Sequence, residues 1–272
     1  MSRGGRRESR VRRGRREAAG VTAGRRAVLA TTACLLVLPL TACGGGDEGG
    51  GRTEVTVLAA SSLTDAFTRA GKVYEREHRD TKVRFSFAGS QELAAQVRQG
   101  APADALVTAD TATMDGLREE TREPAVIARN RLVIAVRQGN PERVEKLRDL
   151  GKGSLKVVLA ASDVPVGRYA KQVLEEHGVR VRPVSREANV RAVLSKVELG
   201  EADAGIVYRT DVAAASDAVD AVRVPDGRGV VATYPAAVLS SSGEAKAAER
   251  FVNWLGTPKA QKVLRDAGFQ RP

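Results

Sequence analysis

The sequence predicts an α/β protein with two similar lobes, each a mostly parallel sheet flanked by helices. Short apolar runs rich in β-branched residues alternate with stretches in which apolar residues recur every three or four positions, as strands alternating with helices do. The segment GAPADA at 100–105 is echoed by GEADAG at 200–205, and in both places a strand is predicted to follow a helix. This echo indicates two halves built alike.

The first strand–helix unit runs from Val55 to Tyr74. Its apolar start is typical of a buried strand, and one helical face follows, formed by Leu63, Ala66, Phe67, Ala70, Val73 and Tyr74. Ser62 lies where the strand gives way to the helix, so we expect it to be the N-cap. A helix start also leaves backbone N–H groups without partners, and a serine there can join them in holding an anion.

The same arrangement is predicted at three further helix starts. Ser90 follows the alternating strand Lys82–Phe87, and the segments 163–167 and 188–190 also place small or polar residues at a helix start. Ligands of open α/β sheets bind at the carboxyl ends of the strands, so four helix starts could meet at one anion between lobes. Asp163 and Asn189 are more simply interpreted as caps.

The remaining pattern predicts further strands and helices along the chain. The further predicted strands are Ala105–Thr108, Leu132–Val136, Val157–Ala160, Gly205–Tyr208 and Val230–Tyr234, and the further helices are Gly167–His177, Asn189–Leu199 and two that begin at Ser242 and Thr257.

The first 42 residues are predicted to be an export signal. Ten arginines and two acids precede an uncharged run from Ala27 to Leu40, which is too short to span a bilayer as a mature helix. The run ends in Leu-Thr-Ala-Cys-Gly, similar to a bacterial lipoprotein signal, so we expect cleavage before Cys43 and acylation of this cysteine. Residues 43–52, rich in glycine, form a flexible tether that holds an extracytoplasmic domain at the membrane.

Most of the formal charge of +11 belongs to this leader. Without its ten bases and two acids, 44 bases become 34, 33 acids become 31, and the charge falls to +3. No basic stripe interleaved with aromatic residues continues into the body of the chain, so no nucleic-acid partner is expected. Cys34 and Cys43 are the two cysteines, so the body must be stabilised by an apolar core.

No motif for catalysis or cation binding is found. The sequence has no P-loop, no G-x-S-x-G, no H-E-x-x-H and no Cys/His zinc spacing. His78 and His177 lie at predicted helix ends, where a histidine complements the helix dipole. We therefore expect neither an enzyme nor a resident cofactor.

Five segments between Val55 and Phe269 resemble the periplasmic binding proteins of ABC transporters, and among them the molybdate-binding component. They are VTVLAASSLTDAF, FSFAGSQELAAQVRQGAPADALVTAD, VPVGRYAKQVL, NVRAVLSKVELGEADAGIVYRTD and FVNWLGTPKAQKVLRDAGF, in this order. The resemblance implies the two-lobed periplasmic-binding-protein fold, with a hinge of two crossovers, which we expect near 132–136 and near 228–234. Lobe 1 would then be discontinuous in sequence, at 53–132 and 233–272, with lobe 2 at 133–232. The resemblance further implies a monomer that captures molybdate or tungstate outside the cytoplasmic membrane and delivers it to an ABC permease.

The resemblance also implies which residues hold the oxyanion. Ser62 and Ser90 would supply hydroxyl and amide groups, Val166 and Val190 amides, and Tyr208 its hydroxyl. Without the resemblance, Tyr208 is better interpreted as a core tyrosine at a strand end. The chain departs from the family at Val166, where alanine is more usual, and on either side of Ser90, where Gly89 and Gln91 replace frequent serines.

Three alternatives stay open. The same fold could hold another oxyanion, such as sulfate or phosphate. An extracytoplasmic hydrolase could use Ser62 or Ser90 as nucleophile, although it would need a base within hydrogen-bond reach. A ligand sensor could signal to a membrane partner that its ligand is bound, instead of delivering the ligand to a transporter.

Overall fold

Strands and helices alternate along the part of the chain that the computed structural model describes, residues 51–224 and 230–272. The predicted leader, Cys43 and most of the tether lie outside these residues, and so does position 228 of the second predicted crossing. The strands are β1 (Thr53–Ala60), β2 (Thr81–Ala88), β3 (Ala105–Val107), β4 (Ala125–Asn130), β5 (Leu132–Arg137), β6 (Val157–Ala160), β7 (Ser185–Glu187), β8 (Ala204–Tyr208), β9 (Val219–Arg223) and β10 (Ala232–Val238).

The helices cover the faces of the sheets. They are α1 (Thr64–Glu77), α2 (Ser90–Arg98), α3 (Thr111–Asp115), α4 (Pro165–Glu176), α5 (Val190–Glu198), α6 (Arg209–Ala214), α7 (Ala245–Leu255) and α8 (Pro258–Asp266), with 3₁₀ turns at Ser61–Leu63 and Leu147–Gly151. Within residues 51–224 and 230–272, no helix has the length and apolar character that crossing a bilayer requires.

Two five-stranded sheets share one plan. Their strand orders are β2-β1-β3-β10-β4 and β7-β6-β8-β5-β9. We call the part built on the first sheet lobe 1 (residues 53–130 and 232–272) and the part built on the second lobe 2 (residues 132–224). The chain passes into lobe 2 between β4 and β5 and returns between β9 and β10. All described residues belong to one compact unit, Glu48–Pro272.

The two-lobed α/β fold with mostly parallel sheets is confirmed, with one reversed strand in each sheet. Four of the five strands of each sheet run in the same direction, and the fifth pairs antiparallel with both of its neighbours: β10 with β3 and β4, and β5 with β8 and β9. The reason lies in the connections. Strands β5 and β10 enter their sheets directly after the chain crosses between lobes, so no helical crossover forces them parallel.

The apolar face of α1 packs into an aromatic cluster in lobe 1. The side chains of Phe67 and Tyr74 are fully buried, as the predicted helical face requires. The ring of Tyr74 meets that of Phe251 of α7 edge to face, with centroids 5.1 Å apart, and Phe67 lies 5.5 Å from Phe85 of β2. Because such pairs add to the burial of apolar area, they hold α1 firmly on the sheet and fix the turn that precedes it.

Several predicted boundaries change for local reasons. Helix α7 begins at Ala245 rather than Ser242, because the Ser242 hydroxyl donates to Asp104 Oδ1 at 2.6 Å. Strand β10 continues past Tyr234. The pairing register shifts between Tyr234 and Pro235, so the N–H that proline lacks does not interrupt the strand. Helix α4 begins at Pro165, a favoured first position, rather than at Gly167.

Two of the predicted helix caps are confirmed and two are wrong. Asn189 caps α5, accepting a hydrogen bond from Ala192 N at 3.0 Å, and Thr257 caps α8. The side chain of Asp163 does not cap α4, whose N-cap is Val164. Ser62 is not a cap either, since α1 begins two residues later, after the 3₁₀ turn.

Candidate functional site

A cavity lies between the lobes, where strands β1, β2 and β8 end and helices α2, α4 and α5 begin. About 210 Å³ lies between its lining atoms, a figure that includes the open solvent beside them. The structure brings together all five residues predicted to hold a ligand, although their contact with a ligand stays a prediction. The lining residues are Ala60, Ser61, Ser62, Ala88, Gly89, Ser90, Ala109, Val164, Pro165, Val166, Asn189, Val190 and Tyr208.

The hydroxyl of Ser62 is oriented by a residue that sequence reasoning missed. Ser62 is 3% exposed, and its Oγ lies 2.9 Å from the hydroxyl oxygen of Tyr234 in β10. The direction of this bond follows from Asn130. Its Oδ1 accepts from Arg131 N at 2.9 Å, which turns its NH₂ group toward Thr210 Oγ1 at 2.8 Å and, in a long contact of 3.5 Å, toward the Tyr234 oxygen.

We therefore assign the Tyr234 hydroxyl as acceptor from Asn130 and as donor to Ser62 Oγ. The proton of Ser62 is then free to point into the cavity. Tyr234 lies 172 positions from Ser62 in the chain. The only local sign of its role is a tyrosine before a proline in the strand that returns to lobe 1, and this sign does not distinguish a site residue from a core residue.

The hydroxyl of Ser90 likewise accepts a hydrogen bond and keeps its proton free to donate. Ser90 is the first residue of α2 and is 2% exposed, and its Oγ accepts a hydrogen bond from Ala109 N at 3.0 Å. Because one lone pair is occupied by that amide, the hydroxyl proton is left to serve as a donor. Its backbone N–H lies in the first turn, where no intrahelical acceptor is available.

Two helix starts of lobe 2 face these serines. Val166 is the second residue of α4 and Val190 the first of α5, so neither amide has an intrahelical acceptor. The start of α4 is held close to the end of β6, since a Cβ at Gly167 would lie 1.9 Å from the carbonyl oxygen of Ala161. The VPVG sequence therefore brings Val166 to the cavity with a glycine that no other residue can replace.

Tyr208 supplies an unpaired hydroxyl. Its side chain is 1% exposed and lines the cavity, and within the described residues its hydroxyl oxygen has no hydrogen-bond partner. Burial raises the pKa of the Tyr208 phenol well above its ordinary value, so the oxygen keeps its proton. A buried hydroxyl without a partner is unfavourable in the empty protein, and an acceptor in the cavity would satisfy it.

The cavity offers donors without charge. None of the residues that line it is ionisable apart from Tyr208, and among the described residues no group of histidine, cysteine, aspartate and glutamate side chains could hold a metal cation. Hydroxyl and amide donors from both lobes instead suit a small anion that carries acceptor oxygens on all sides.

The comparisons with known proteins agree with this chemistry. The family model described as bacterial extracellular solute-binding protein matches residues 55–270. The molybdate-binding protein ModA of Mycobacterium tuberculosis is 36% identical over 248 residues, covering 88% of this chain and 95% of the relative. ModA of Haemophilus influenzae is 32% identical over 228 residues, covering 79% and 89%.

Solved structures share the fold. The periplasmic molybdate-binding protein of Azotobacter vinelandii superposes with a TM-score of 0.71 at 20% identity, covering 80% of this chain and 99% of that one. The sulfate-binding protein SubI of M. tuberculosis gives 0.67 at 19% identity, covering 81% and 87%. These two likenesses concern the fold alone. The match over residues 55–270 and the identity to the ModA relatives show that this chain belongs to the family of bacterial extracellular solute-binding proteins.

Proposed function

We propose that the chain captures molybdate or tungstate outside the cytoplasmic membrane and delivers it to an ABC permease. The observation that carries this proposal is the convergence of uncharged donors from both lobes on one cavity, with the Tyr208 hydroxyl unpaired. The names of the ModA relatives supply the identity of the anion.

The donor count agrees with tight but reversible binding. Ser62 and Ser90 each offer a hydroxyl and an amide, Val166 and Val190 an amide each, and Tyr208 a hydroxyl. Hydrogen bonds to a charged acceptor contribute about 1.5 to 3 kcal/mol each, or roughly 10 to 20 kcal/mol for this set. After an association cost of at least about 4 kcal/mol and closure of the lobes, a net of about 8 to 12 kcal/mol corresponds to micromolar to nanomolar affinity.

The choice among tetrahedral anions follows from size and protonation. Sulfate is smaller than molybdate and would leave some donors stretched. Hydrogen phosphate retains a proton, and this proton would face a lining made of donors. Molybdate and tungstate are nearly alike in size and charge, so both should bind.

Calorimetric titration of residues 44–272 with molybdate, tungstate, sulfate and phosphate tests this order. These residues contain the whole described part of the compact unit. We expect molybdate and tungstate to bind at least tenfold more tightly than sulfate. Sulfate binding that molybdate fails to displace would favour the alternative in which the same fold serves another oxyanion.

A hydrolytic function finds no support at the serines. The ring of His78 stacks on Tyr74 with centroids 4.2 Å apart, and His177 Nδ1 lies 2.9 Å from Val173 O. These contacts engage both histidines away from Ser62 and Ser90. We therefore propose binding without catalysis, and without a resident cofactor.

We further propose that the mature protein is a monomer anchored through lipid on Cys43. The support is the arginine-rich, then apolar, then Leu-Thr-Ala-Cys-Gly pattern of the leader. The native protein should carry acyl chains that mass spectrometry detects on an N-terminal Cys43, and Cys43→Ser should carry none. A native protein without acyl chains on Cys43 would contradict the anchor.

A further inference from the structure

Two arginines of lobe 2 lie directly beside the residues whose amides face the cavity. Arg168 follows Val166 by two positions in α4, and Arg191 follows Val190 in α5. Both side chains end on carboxylates of lobe 1, Arg168 on Asp110 and Arg191 on Asp65. Each lobe-2 helix start is therefore joined to lobe 1 within one turn of its cavity residue.

The side chain of Arg168 donates hydrogen bonds to two residues at the start of α3. Its Nε lies 2.9 Å from Asp110 Oδ2, its Nη2 also donates to that oxygen, and the same Nη2 lies 2.8 Å from Thr113 Oγ1. Asp110 is 3% exposed and caps α3 by accepting from Thr113 N. It directly follows Ala109, the residue that orients the Ser90 hydroxyl. A buried carboxylate with two donors from one guanidinium is a well-ordered contact.

Arg191 bridges the two halves of the site. Its Nη2 donates to Asp65 Oδ2 of α1, three positions after Ser62. Its Nε lies 3.2 Å from Oδ1 of Asp211, a buried residue of lobe 2, without the alignment of a hydrogen bond, so this contact is Coulombic. The other oxygen of Asp211 accepts from Tyr208 N at 2.9 Å. One guanidinium thus connects the segment of Ser62 with that of Tyr208.

A third contact between the lobes lies beside Ser90. Gln91 Nε2 donates to Ala188 O at 2.7 Å, and a Cβ at Gly89 would lie 2.6 Å from that oxygen. The lobes therefore approach each other closely on both sides of Ser90.

We infer that Arg168 and Arg191 are positioning residues that latch the lobes together over the cavity and set the rate at which the anion leaves. When the lobes separate, both guanidinium groups lose their lobe-1 partners at the moment the helix starts leave the serines. Opening therefore breaks ligand contacts and ion pairs together. The inference rests on the proposed anion-binding function, and its test separates the two.

The first measurement is the dissociation rate of molybdate by stopped flow. We expect Arg168→Met and Arg191→Met each to raise this rate at least fivefold, with a smaller effect on association. The matched control is Arg182→Met, which removes an exposed lobe-2 arginine that has no ion pair within the described residues and should change the rate less than twofold. If Arg191→Met fails to fold, Asp65→Asn breaks the same pair from its half-exposed side.

The second measurement does not need the ligand. Residues 44–272 contain no cysteine, so cysteines introduced at the exposed positions Glu119 and Glu201 can carry one spin label in each lobe. Pulsed EPR on the ligand-free chain should show a population of short interlobe distances that both arginine variants reduce and Arg182→Met preserves. An unchanged population in the arginine variants, or an unchanged dissociation rate, would overturn the inference. Reduced short distances in a protein that binds no oxyanion would keep the latch and reject the proposed function.

Discussion

Two buried tyrosines beside the cavity differ in one respect that decides their roles. The rings of Tyr208 and Tyr234 meet with centroids 6.0 Å apart, yet the hydroxyl of Tyr234 bonds to Ser62 whereas that of Tyr208 has no partner within the described residues. The Tyr234 hydroxyl stabilises the folded chain and orients the hydroxyl of Ser62. The Tyr208 hydroxyl is left to donate to an acceptor in the cavity.

Tyr208→Phe should therefore weaken ligand binding without destabilising the empty protein. Loss of a hydrogen bond to an anion is expected to cost about 1.5 to 3 kcal/mol of binding free energy, roughly a tenfold or greater loss of affinity. Calorimetry and urea unfolding of the ligand-free chain measure the two effects. A variant that loses stability but retains affinity would return Tyr208 to the role of a core residue.

Tyr234→Phe should behave differently, because it removes bonds that exist in the empty protein. We expect a loss of about 1 kcal/mol in the free energy of unfolding. Affinity should also fall, since the proton of Ser62 is no longer kept free for the ligand. The two tyrosine variants are compared in one unfolding series, and equal stability of both would contradict the assigned hydrogen bonds.

We predict that the free energy of unfolding depends on pH through Asp211. Burial raises its pKa from 3.8 to about 7, and the charge of Arg191 opposes this shift. Between about pH 4 and 7 the native state holds a proton that the unfolded state has released, so this group makes stability fall as pH rises through that window. The expected loss between pH 5 and 7.5 is about 2 kcal/mol.

Asp211→Asn removes this titration and keeps an oxygen for the amide of Tyr208. Urea unfolding at pH 5 and pH 7.5 should show a smaller change for the variant than for the native chain. Equal changes in both proteins would mean that Asp211 titrates in its ordinary range.

At the scale of the elements, the helix starts form the site, and their approach to the opposite lobe can be tested at Gly89. Its φ of −62° and ψ of 141° suit any residue, so alanine introduces no backbone strain there. Its Cβ would nevertheless collide with Ala188 O of lobe 2. Gly89→Ala should weaken binding at least fivefold while the melting temperature of the ligand-free chain stays within about 2 °C. Native affinity in this variant would show that binding does not require the approach.

The local sequence pattern predicted where the helices start better than it predicted which hydrogen bonds the residues there make. The turn after β1 and the start of α2 follow from an apolar run that ends in small and polar residues, so Ser62 and Ser90 could be selected from sequence. The capping role expected of Ser62 was wrong, because its hydroxyl bonds across the lobe to Tyr234 instead. Asn130 and Tyr234 could not be selected, since their contacts with the site join distant parts of the chain.

For the whole molecule, strand–helix alternation predicted the two lobes and their mostly parallel sheets, but not the one reversed strand in each sheet. The direction of β5 and β10 depends on how the chain crosses between lobes, which no window of residues records. Tyr208 entered the predicted site only through the resemblance to a family. Its position beside the serines arises from the approach of the two lobes.

We infer that uncharged donors from both lobes bind one tetrahedral oxyanion. The most direct measurement is calorimetric titration of molybdate into residues 44–272 and into the variant that combines Ser62→Ala with Ser90→Ala. We predict micromolar or tighter binding by the native chain and a loss of at least about 2 kcal/mol, roughly thirtyfold in affinity, in the double variant. Unchanged affinity in a folded double variant would show that the two serine hydroxyls do not hold the anion.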